Sequence, residues 1–160
     1  MQKMPITKTG FHKLKKELDH LKTVSIPRNI RDIEEARAHG DISENAEYAA
    51  AKERQSFLHG KMQDLENNLA SSQIIDLKDL KDDRVVFGST VLIEDVHTGA
   101  EIKYQLVGPF ESDISENRIS VTSPIGKALI GKVIGDDVTV RAPGGIREFQ
   151  IVDIRIENMA

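Results

Sequence analysis

The sequence predicts an α+β protein in which an N-terminal antiparallel coiled-coil hairpin precedes a C-terminal antiparallel sheet domain with one short helix. In the first half of the chain, apolar residues recur every three or four positions, which is the period of a helix buried along one stripe. Beyond position 84 they recur every two positions, as in strands buried on one face. An acidic turn at residues 40–48 interrupts the helical pattern and predicts the tip of the hairpin.

These changes of period set the expected domain boundaries. The coiled-coil hairpin is predicted over residues 1–75, with its tip at about residues 38–46. Residues 76–84 are highly charged and lack a sustained apolar stripe, so we expect a linker there. The sheet domain is predicted over residues 85–160.

The first helix of the hairpin is expected to begin after Thr7 or Thr9, which can cap it, and to end at Gly40. Its predicted buried seam is Phe11, Leu14, Leu18, Leu21, Ile26, Ile30, Ile33 and Arg37. One step of this seam spans five residues beside Pro27, a residue that lacks an N–H and clashes with the preceding turn. We therefore expect a kink there, or a break with Ser25 as a new cap.

The second helix is predicted from about Asp41 or Ser43 to about Ser72. Its seam is Ala51, Leu58, Met62, Leu65 and Leu69, with a gap at Gln55. A helix of about 30 residues makes an arm roughly 45 Å long. So much length with so little core favours a function that needs reach, and an arm for dimerisation or for packing on a partner is the alternative.

The second half of the chain is expected to form strands joined by turns. The predicted strands cover residues 85–93, 102–107, 119–121, 138–141 and 147–154. A short helix is predicted over residues 123–132, with Ser123 as its cap and Pro124 at its first position. Residues 143–145 predict a hairpin turn between the last two strands.

Composition and charge exclude several functional classes. The chain has no cysteine, which excludes disulfides, thiolate nucleophiles and cysteine-ligated zinc, and its five histidines show no metal-ligand spacing. The net charge of -4 argues against binding nucleic acid through the overall field of the protein. We count 12 basic and 11 acidic residues in positions 1–74, and 10 and 15 in positions 75–160, so the charges of the two halves are +1 and -5. No signal peptide or membrane-spanning segment is expected, which predicts a cytoplasmic protein.

Asp41 and Glu44 are the candidate site residues at the tip. At positions i and i+3 of a helical turn, their side chains would lie about 5–6 Å apart and could share a hard cation such as Mg²⁺. The same spacing is typical of a helix cap, and the residues alone leave both interpretations open. The pentapeptide Asp-Ile-Ser-Glu-Asn also occurs at residues 113–117, where no helical seam flanks it and an incidental loop is expected.

The stretch at residues 36–53 resembles the signature of the Gre family of bacterial transcript-cleavage factors, and that of its GreA branch in particular. The resemblance continues in family order through residues 84–91, 119–125, 129–132 and 139–145. It implies a coiled-coil arm that enters the secondary channel of RNA polymerase, and an FKBP-like C-terminal domain that docks at the channel rim. It also implies a monomer that has no nuclease activity of its own and stimulates cleavage of backtracked RNA by the polymerase, with short products.

The resemblance assigns roles to six residues. Asp41 and Glu44 match the tip carboxylates that help to hold the second Mg²⁺ of the polymerase active site and to orient the attacking water. Arg37 and Lys52 match a basic patch that contacts the 3′ segment of backtracked RNA, and a pair of solvated charges flanking the tip is the alternative. Ser123 and Pro124 fall in the segment that grips the polymerase rim, although a helix cap explains both residue types equally well.

Three other functions remain as alternatives. A Gre-like protein could enter the channel and inhibit the polymerase, which the intact pair of tip carboxylates disfavours. The C-terminal domain could be a prolyl isomerase, which is disfavoured because such a pocket needs wide aromatic walls, and this half of the chain has no tryptophan and offers Phe87, Tyr104, Phe110 and Phe149. A plain coiled-coil adaptor would show no metal-dependent effect on RNA.

Overall fold

The structure, a computed structural model, describes residues 3–41 and 45–157 and contains two compact units. The first unit, His12–Ser71, is helical. The second combines the stretch that ends at Phe11 with the stretch that begins at Ser72. The boundaries therefore differ from those expected, because the sequence pattern assigned the first eleven residues and residues 72–75 to the hairpin.

The first helical arm is continuous. Helix α1 (Lys8–His20) passes into a π-helical turn (Leu21–Ser25), and helix α2 (Ile26–Ala38) follows directly. The predicted break with Ser25 as a new cap is wrong, since Ser25 has helical dihedral angles and makes no capping hydrogen bond. Instead, the Ile26 N–H donates to the Leu21 carbonyl five residues earlier. One wide turn thus absorbs the extra residue and keeps the seam on one side of the arm.

The second arm is helix α3 (Ala46–Ser71), whose first turn is capped by Asn45. The Asn45 Oδ1 accepts a hydrogen bond from the Tyr48 N–H at 3.1 Å. The predicted start at Asp41 is wrong, because Asp41 has no helical structure, and Ser43 lies outside the described residues. The predicted end at about Ser72 is confirmed to within one residue.

A leucine cluster holds the basal half of the hairpin together. Its residues are Leu18, Leu21, Leu58 and Leu65, with Leu14, Ile26, Met62 and Leu69 packed against them. Since burial of one leucine side chain contributes about 1.5–3 kcal/mol, this half provides most of the apolar stabilisation. Towards the tip, Asn29 takes the seam position predicted for Ile30, which is 46% exposed. The prediction was wrong there because the helix brings the third residue after Ile26 to the seam, and not the fourth.

The second unit begins with a parallel strand pair that the sequence pattern did not reveal. Strand β1 (Met4–Thr7) pairs with β2 (Ser72–Ile75), and Ile6 is completely buried. The Thr7 Oγ1 accepts a hydrogen bond from the Gly10 N–H at 3.0 Å, which confirms Thr7 as the cap of α1. Short strands that pair across almost seventy residues carry no local period from which to predict them.

The main sheet has five strands in the order β5-β4-β3-β7-β6. The strands are β3 (Ser89–Asp95), β4 (Glu101–Val107), β5 (Arg118–Ser120), β6 (Asp137–Ala142) and β7 (Gly145–Ile156). Neighbouring strands are antiparallel except β4 and β5, which are parallel. With the short helix α4 (Pro124–Leu129), this sheet confirms the predicted fold class.

The sheet encloses the apolar core of the second unit. Its buried residues are Val85, Val91, Ile93, Leu106, Ile119, Leu129, Val138, Val140, Phe149, Ile151 and Ile154. Residues 85–88 precede β3 and are not part of it, so the first predicted strand starts four residues later than expected. The expected linker contains a 3₁₀ turn, Leu77–Asp79, and belongs to this unit.

None of the described helices is both long enough and apolar enough to cross a membrane.

Candidate functional site

The candidate site lies where α2 and α3 approach each other at the tip of the hairpin. Gly40 follows α2 with φ +131°, in a backbone region that favours glycine. Asp41 comes next and is exposed outside both helices, whereas Glu44 lies outside the described residues. Because Asn45 occupies the cap position of α3, Asp41 does not cap this helix. The Asp41 carboxylate therefore lies at the tip, and Asn45 supplies the cap of α3.

Three contacts join the ends of α2 and α3, and we call them the tip clasp. The Asn45 side-chain amide donates to the Ala36 carbonyl at 2.5 Å while its oxygen caps α3. His39 Nδ1 lies 3.3 Å from Glu47 Oε2. The Arg37 guanidinium carbon lies 5.9 Å from the centre of the Tyr48 ring, within the range of a cation–π contact. The clasp anchors both ends of the segment that carries Asp41 and Glu44.

The two predicted RNA-contacting residues are both exposed on the hairpin. Arg37 contacts the face of Tyr48, which gives its side chain a structural partner that the sequence did not suggest. The Lys52 Nζ donates to the Gln55 Oε1 at 2.9 Å on the same helix face. Since an exposed contact of either kind contributes little stability, both cations can exchange it for a phosphate.

A groove of about 390 Å³ runs along the hairpin near the tip. Its lining residues are Asn29, Asp32, Glu35, Ala36, His39, Glu47, Ala50, Ala51 and Arg54. Among residues 3–41 and 45–157, no three acidic, histidine or cysteine side chains are grouped so that they could hold a metal ion. The two carboxylates that the sequence assigns to the tip, Asp41 and Glu44, suit Mg²⁺ chemically but are too few to enclose it. A cation held there needs further ligands from a partner.

Ser123 and Pro124, the predicted docking residues, lie at the start of α4. The Ser123 Oγ accepts from the Gly126 N–H at 3.1 Å and donates to the Ser120 carbonyl at 2.6 Å. This geometry confirms Ser123 as a helix cap and occupies its hydroxyl group within the fold. Pro124 is exposed in the first turn of the helix, so its ring is the part of this pair open to a partner.

Glu111 is a buried carboxylate that the sequence analysis missed. Its side chain is 3% exposed, and it accepts from the Thr7 N–H at 2.7 Å and the Gly108 N–H at 3.0 Å. The Thr7 hydroxyl and the Arg118 guanidinium, at 3.2 Å, also donate to it. Glu111 therefore binds β1 to the loop that follows β4. Its partner Thr7 is 104 residues away in sequence, so no local pattern could have revealed it.

The second Asp-Ile-Ser-Glu-Asn forms the turn that brings Arg118 back towards Glu111. The Asp113 Oδ1 accepts from the Ser115 N–H at 3.1 Å and caps a 3₁₀ turn, Ile114–Glu116. Asn117 closes this turn in the left-handed conformation, with φ 56°. The backbone of Arg118 then exchanges two hydrogen bonds with that of Asp113. The expected loop is thus an ordered turn with a structural role.

Another aspartate of this unit has a shifted pKa. The Asp95 Oδ1 accepts hydrogen bonds from the His97 N–H at 2.9 Å and the Thr98 N–H at 3.2 Å. These two bonds lower the pKa of Asp95 below its ordinary value, and Arg147 at 3.5 Å lowers it further, while burial opposes the shift. The carboxylate stabilises the turn between β3 and β4 in its charged form.

Phe149, one of the four aromatic residues considered for an isomerase pocket, is a core residue that is 1% exposed.

Two family models together match almost the whole chain. Residues 4–74 match "Transcription elongation factor, N-terminal", and residues 80–156 match "Transcription elongation factor, GreA/GreB, C-term". The transcription elongation factor GreA of Syntrophus aciditrophicus is 74% identical, over 98% of this chain and 97% of its own length. That of Methylococcus capsulatus is 55% identical, over 97% and 99%. A solved structure of the transcription factor Gfh1 is 27% identical, with a TM-score of 0.47, and covers 97% of this chain and 99% of that one.

Proposed function

Because the chain belongs to the GreA/GreB family of transcription elongation factors, we propose that it binds RNA polymerase and stimulates the cleavage of backtracked RNA. The hairpin is the part that enters the secondary channel, and the tip carboxylates reach the polymerase active site. The chain has no nuclease activity alone, and its place of action is the cytoplasm, where it acts as a monomer. The observation that carries this proposal is the position of Asp41, exposed at the tip and outside both helices.

The tip completes a site that the chain does not form by itself. Asp41 and Glu44 supply carboxylate oxygens, the ligand type that Mg²⁺ prefers, and the remaining ligands come from the polymerase. A second Mg²⁺ bound in this way stabilises the attacking and leaving oxygens of phosphodiester hydrolysis. The two carboxylates also accept hydrogen bonds from water and can orient it towards the phosphorus atom. The tip clasp, by anchoring Asn45 to Ala36, limits how far these carboxylates can move.

Arg37 and Lys52 provide the positive charge for the 3′ segment of the backtracked RNA. Both are exposed, and each of their intramolecular contacts involves a neutral partner, Tyr48 or Gln55. A phosphate group offers a stronger electrostatic partner than either, so contact with RNA can displace these interactions. The Lys52 ammonium acts as a point charge, without the bidentate geometry of an arginine.

The sheet unit docks at the polymerase rim through the start of α4. Pro124 offers an exposed ring on a rigid first turn, which the Ser123 side chain stabilises by its bonds to Ser120 and Gly126. Here Ser123 acts mainly by holding the turn in shape. A rigid element of this kind positions a contact better than a flexible loop does.

The test adds the purified chain to a stalled, backtracked elongation complex with RNA labelled at its 5′ end. We expect Mg²⁺-dependent shortening of the RNA, much faster than with polymerase alone and absent with the chain alone. Slower elongation without cleavage would instead identify a channel-binding inhibitor. RNA cut by the isolated chain, after removal of contaminating ribonuclease, would contradict the division of labour between factor and polymerase.

A further inference from the structure

The half of the hairpin nearest the tip has a seam of small and polar residues. The basal half is held by the leucine cluster, whereas the buried seam residues beyond it are Asn29, Ile33, Ala36 and Ala51. Only Ile33 among these four is a large apolar residue. Alanine side chains fit against a neighbouring helix in more than one axial position, because they present no bulky knob to a specific hole. Apolar packing near the tip therefore specifies the axial register of α2 and α3 only weakly.

Asn29 provides the specificity for one axial register of α2 and α3, which the apolar residues near the tip lack. It is 2% exposed, and its side-chain Nδ2 donates to the Ala51 carbonyl at 3.0 Å across the two helices. Among the described residues of the helical unit, Asn29 is the one buried polar side chain. A buried amide needs a hydrogen-bond partner, and the small Ala51 leaves its carbonyl accessible to one. Sliding the helices by one turn, about 5.4 Å, would bring the bulkier Tyr48 or Gln55 to the place of Ala51. The bond thus favours one register over its neighbours.

We propose that Asn29 is a positioning residue that fixes the register of α2 against α3 and thereby the height of Asp41 and Glu44. This inference rests on the proposed function of the tip. A buried asparagine at a core position of a coiled coil selects register at some cost in stability. Two contacts of the tip clasp, those of His39 with Glu47 and of Arg37 with Tyr48, are exposed and weak, so they cannot substitute for it. The third, the partly buried bond from Asn45 to Ala36, holds the end of the loop and acts together with Asn29.

The register matters because the tip must place two carboxylates at a distant active site. A displacement of about 1 Å of a reacting group can cost about a hundredfold in rate. A slip of one helical turn is several times larger than this. A hairpin that populates two registers would therefore contain molecules that bind the polymerase and fail to support cleavage.

The main test is Asn29→Leu, which removes the amide and leaves an apolar side chain of similar size in the seam. We expect this variant to keep its helicity and to have an equal or higher melting temperature. Cleavage at saturating occupancy of the polymerase should nevertheless fall in proportion to the fraction of molecules in the displaced register, about twofold for two equally populated registers. The melting temperature separates the two roles, because loss of a merely structural residue would lower stability and activity together.

A distance measurement reports on the register without any assay of cleavage. Since the chain has no cysteine, Glu34→Cys and Glu53→Cys provide two unique sites for spin labels, one exposed on each helix. The parent hairpin should give one narrow distance distribution, and Asn29→Leu should give a broader one or two populations. Ile33→Leu, a volume-conserving change one turn away in the same seam, is the matched control and should keep both the narrow distribution and full cleavage.

Asn29→Ala repeats the test without added bulk, in case leucine is not accommodated. A single narrow distribution in both Asn29 variants, whether cleavage stays normal or falls together with stability, would overturn the positioning role. Asp41→Asn is measured in parallel, and normal cleavage by that variant would refute the proposed function of the tip. The distance distributions would still report on the register in that case, so the two failures are distinguishable.

Discussion

The two copies of Asp-Ile-Ser-Glu-Asn have identical sequences and different structural settings. In the copy at residues 113–117, the Asp113 carboxylate accepts hydrogen bonds from the backbone and side chain of Ser115, and Asn117 closes the turn. In the copy at residues 41–45, the aspartate is exposed outside both helices and the asparagine caps a helix of 26 residues. The chemistry of a short motif is therefore determined by the element that follows it.

The difference lies in what each copy positions. The copy at residues 113–117 precedes a three-residue strand and returns Arg118 to Glu111, so its order contributes to the stability of the sheet unit. The copy at the tip is anchored at Asn45, whose side chain caps α3 and bonds to Ala36. If this comparison is correct, substitutions at equivalent positions will affect stability in one copy and activity in the other.

The largest expected effect is on the stability of the sheet unit, when Glu111 is replaced. Glu111 is the carboxylate that Arg118 contacts directly after the copy at residues 113–117. Glu111→Ala leaves the Arg118 guanidinium and two backbone N–H groups buried without their acceptor. Breaking a buried ion pair in this way typically costs about 3–5 kcal/mol. Urea unfolding should therefore show a strongly destabilised sheet unit, while Asp41→Asn should leave the midpoint almost unchanged.

The opposite outcome would break the comparison. If Glu111→Ala unfolds at nearly the parent urea concentration, the four donors around this carboxylate contribute little. The second copy would then not be tied to the stability of the fold.

The next largest effect is on cleavage by the tip variants Asp41→Asn and Glu44→Gln. Each keeps the size of the side chain and removes the charge that attracts a second Mg²⁺, so the cleavage rate should fall by about a hundredfold, or about 2.7 kcal/mol. Raised Mg²⁺ should restore part of the rate, because a weakened site can be filled by mass action. Asp113→Asn and Glu116→Gln are the matched controls, and they should cleave at the parent rate.

Polymerase occupancy must be matched between the variants. Near-normal cleavage by Asp41→Asn at low Mg²⁺ would remove the catalytic role from the tip. A similar loss in Asp113→Asn would show that the two copies are not functionally distinct.

The sequence was sufficient to predict the elements with a clear period. The leucine seam, the tip, helix α4 with its Ser123 cap and the last β-hairpin all depend on local patterns, and the structure contains each of them. Of the kink and the break that were expected beside Pro27, the break failed because a π turn can absorb one extra residue without ending the helix. Asn45 and not Asp41 caps α3, because several residues near a turn have capping side chains and only the fold selects among them.

Long-range pairs could not be predicted from the sequence pattern. Thr7 and Glu111 are 104 positions apart, and β1 pairs with β2 through four residues each. The sequence pattern placed Ile30 in the seam instead of Asn29, because apolar residues are assumed to occupy seam positions. A buried amide with a hydrogen-bond partner can occupy one as well. The candidate site itself stays a prediction from the motif, whose residues are contiguous in the sequence.

A smaller effect on stability is expected at the asparagine that ends each copy. Asn45→Ala removes the cap of α3 and should destabilise the helical unit by about 1 kcal/mol. Asn117→Gly should leave stability nearly unchanged, because glycine adopts the left-handed conformation of this residue without steric cost. Thermal unfolding followed by circular dichroism measures both. Equal destabilisation by the two substitutions would mean that the asparagines have the same role in the two copies.

The smallest expected effect is on the acid dependence of stability and concerns Asp95. Like Asp113, Asp95 accepts a hydrogen bond from the backbone N–H two residues ahead. Because the folded protein lowers the pKa of Asp95, its charged form stabilises the fold at pH values above the unfolded pKa of about 3.9. This contribution is lost as the pH falls through the lower pKa of the folded state. Asp95→Asn should therefore reduce the loss of stability on acidification from about pH 5 to pH 3, relative to the parent.

The matched control for Asp95 is Asp153→Asn, which changes an aspartate of the same sheet whose partner is the exposed Arg155. Urea midpoints at each pH measure the effect for both variants and the parent. Asp153→Asn should follow the acid dependence of the parent closely, because an exposed ion pair contributes little. If Asp95→Asn also follows it, the hydrogen bonds from His97 and Thr98 do not favour the charged carboxylate. The Asp95 side chain would then stabilise its turn by hydrogen-bond geometry alone, and an asparagine in the same position could do the same.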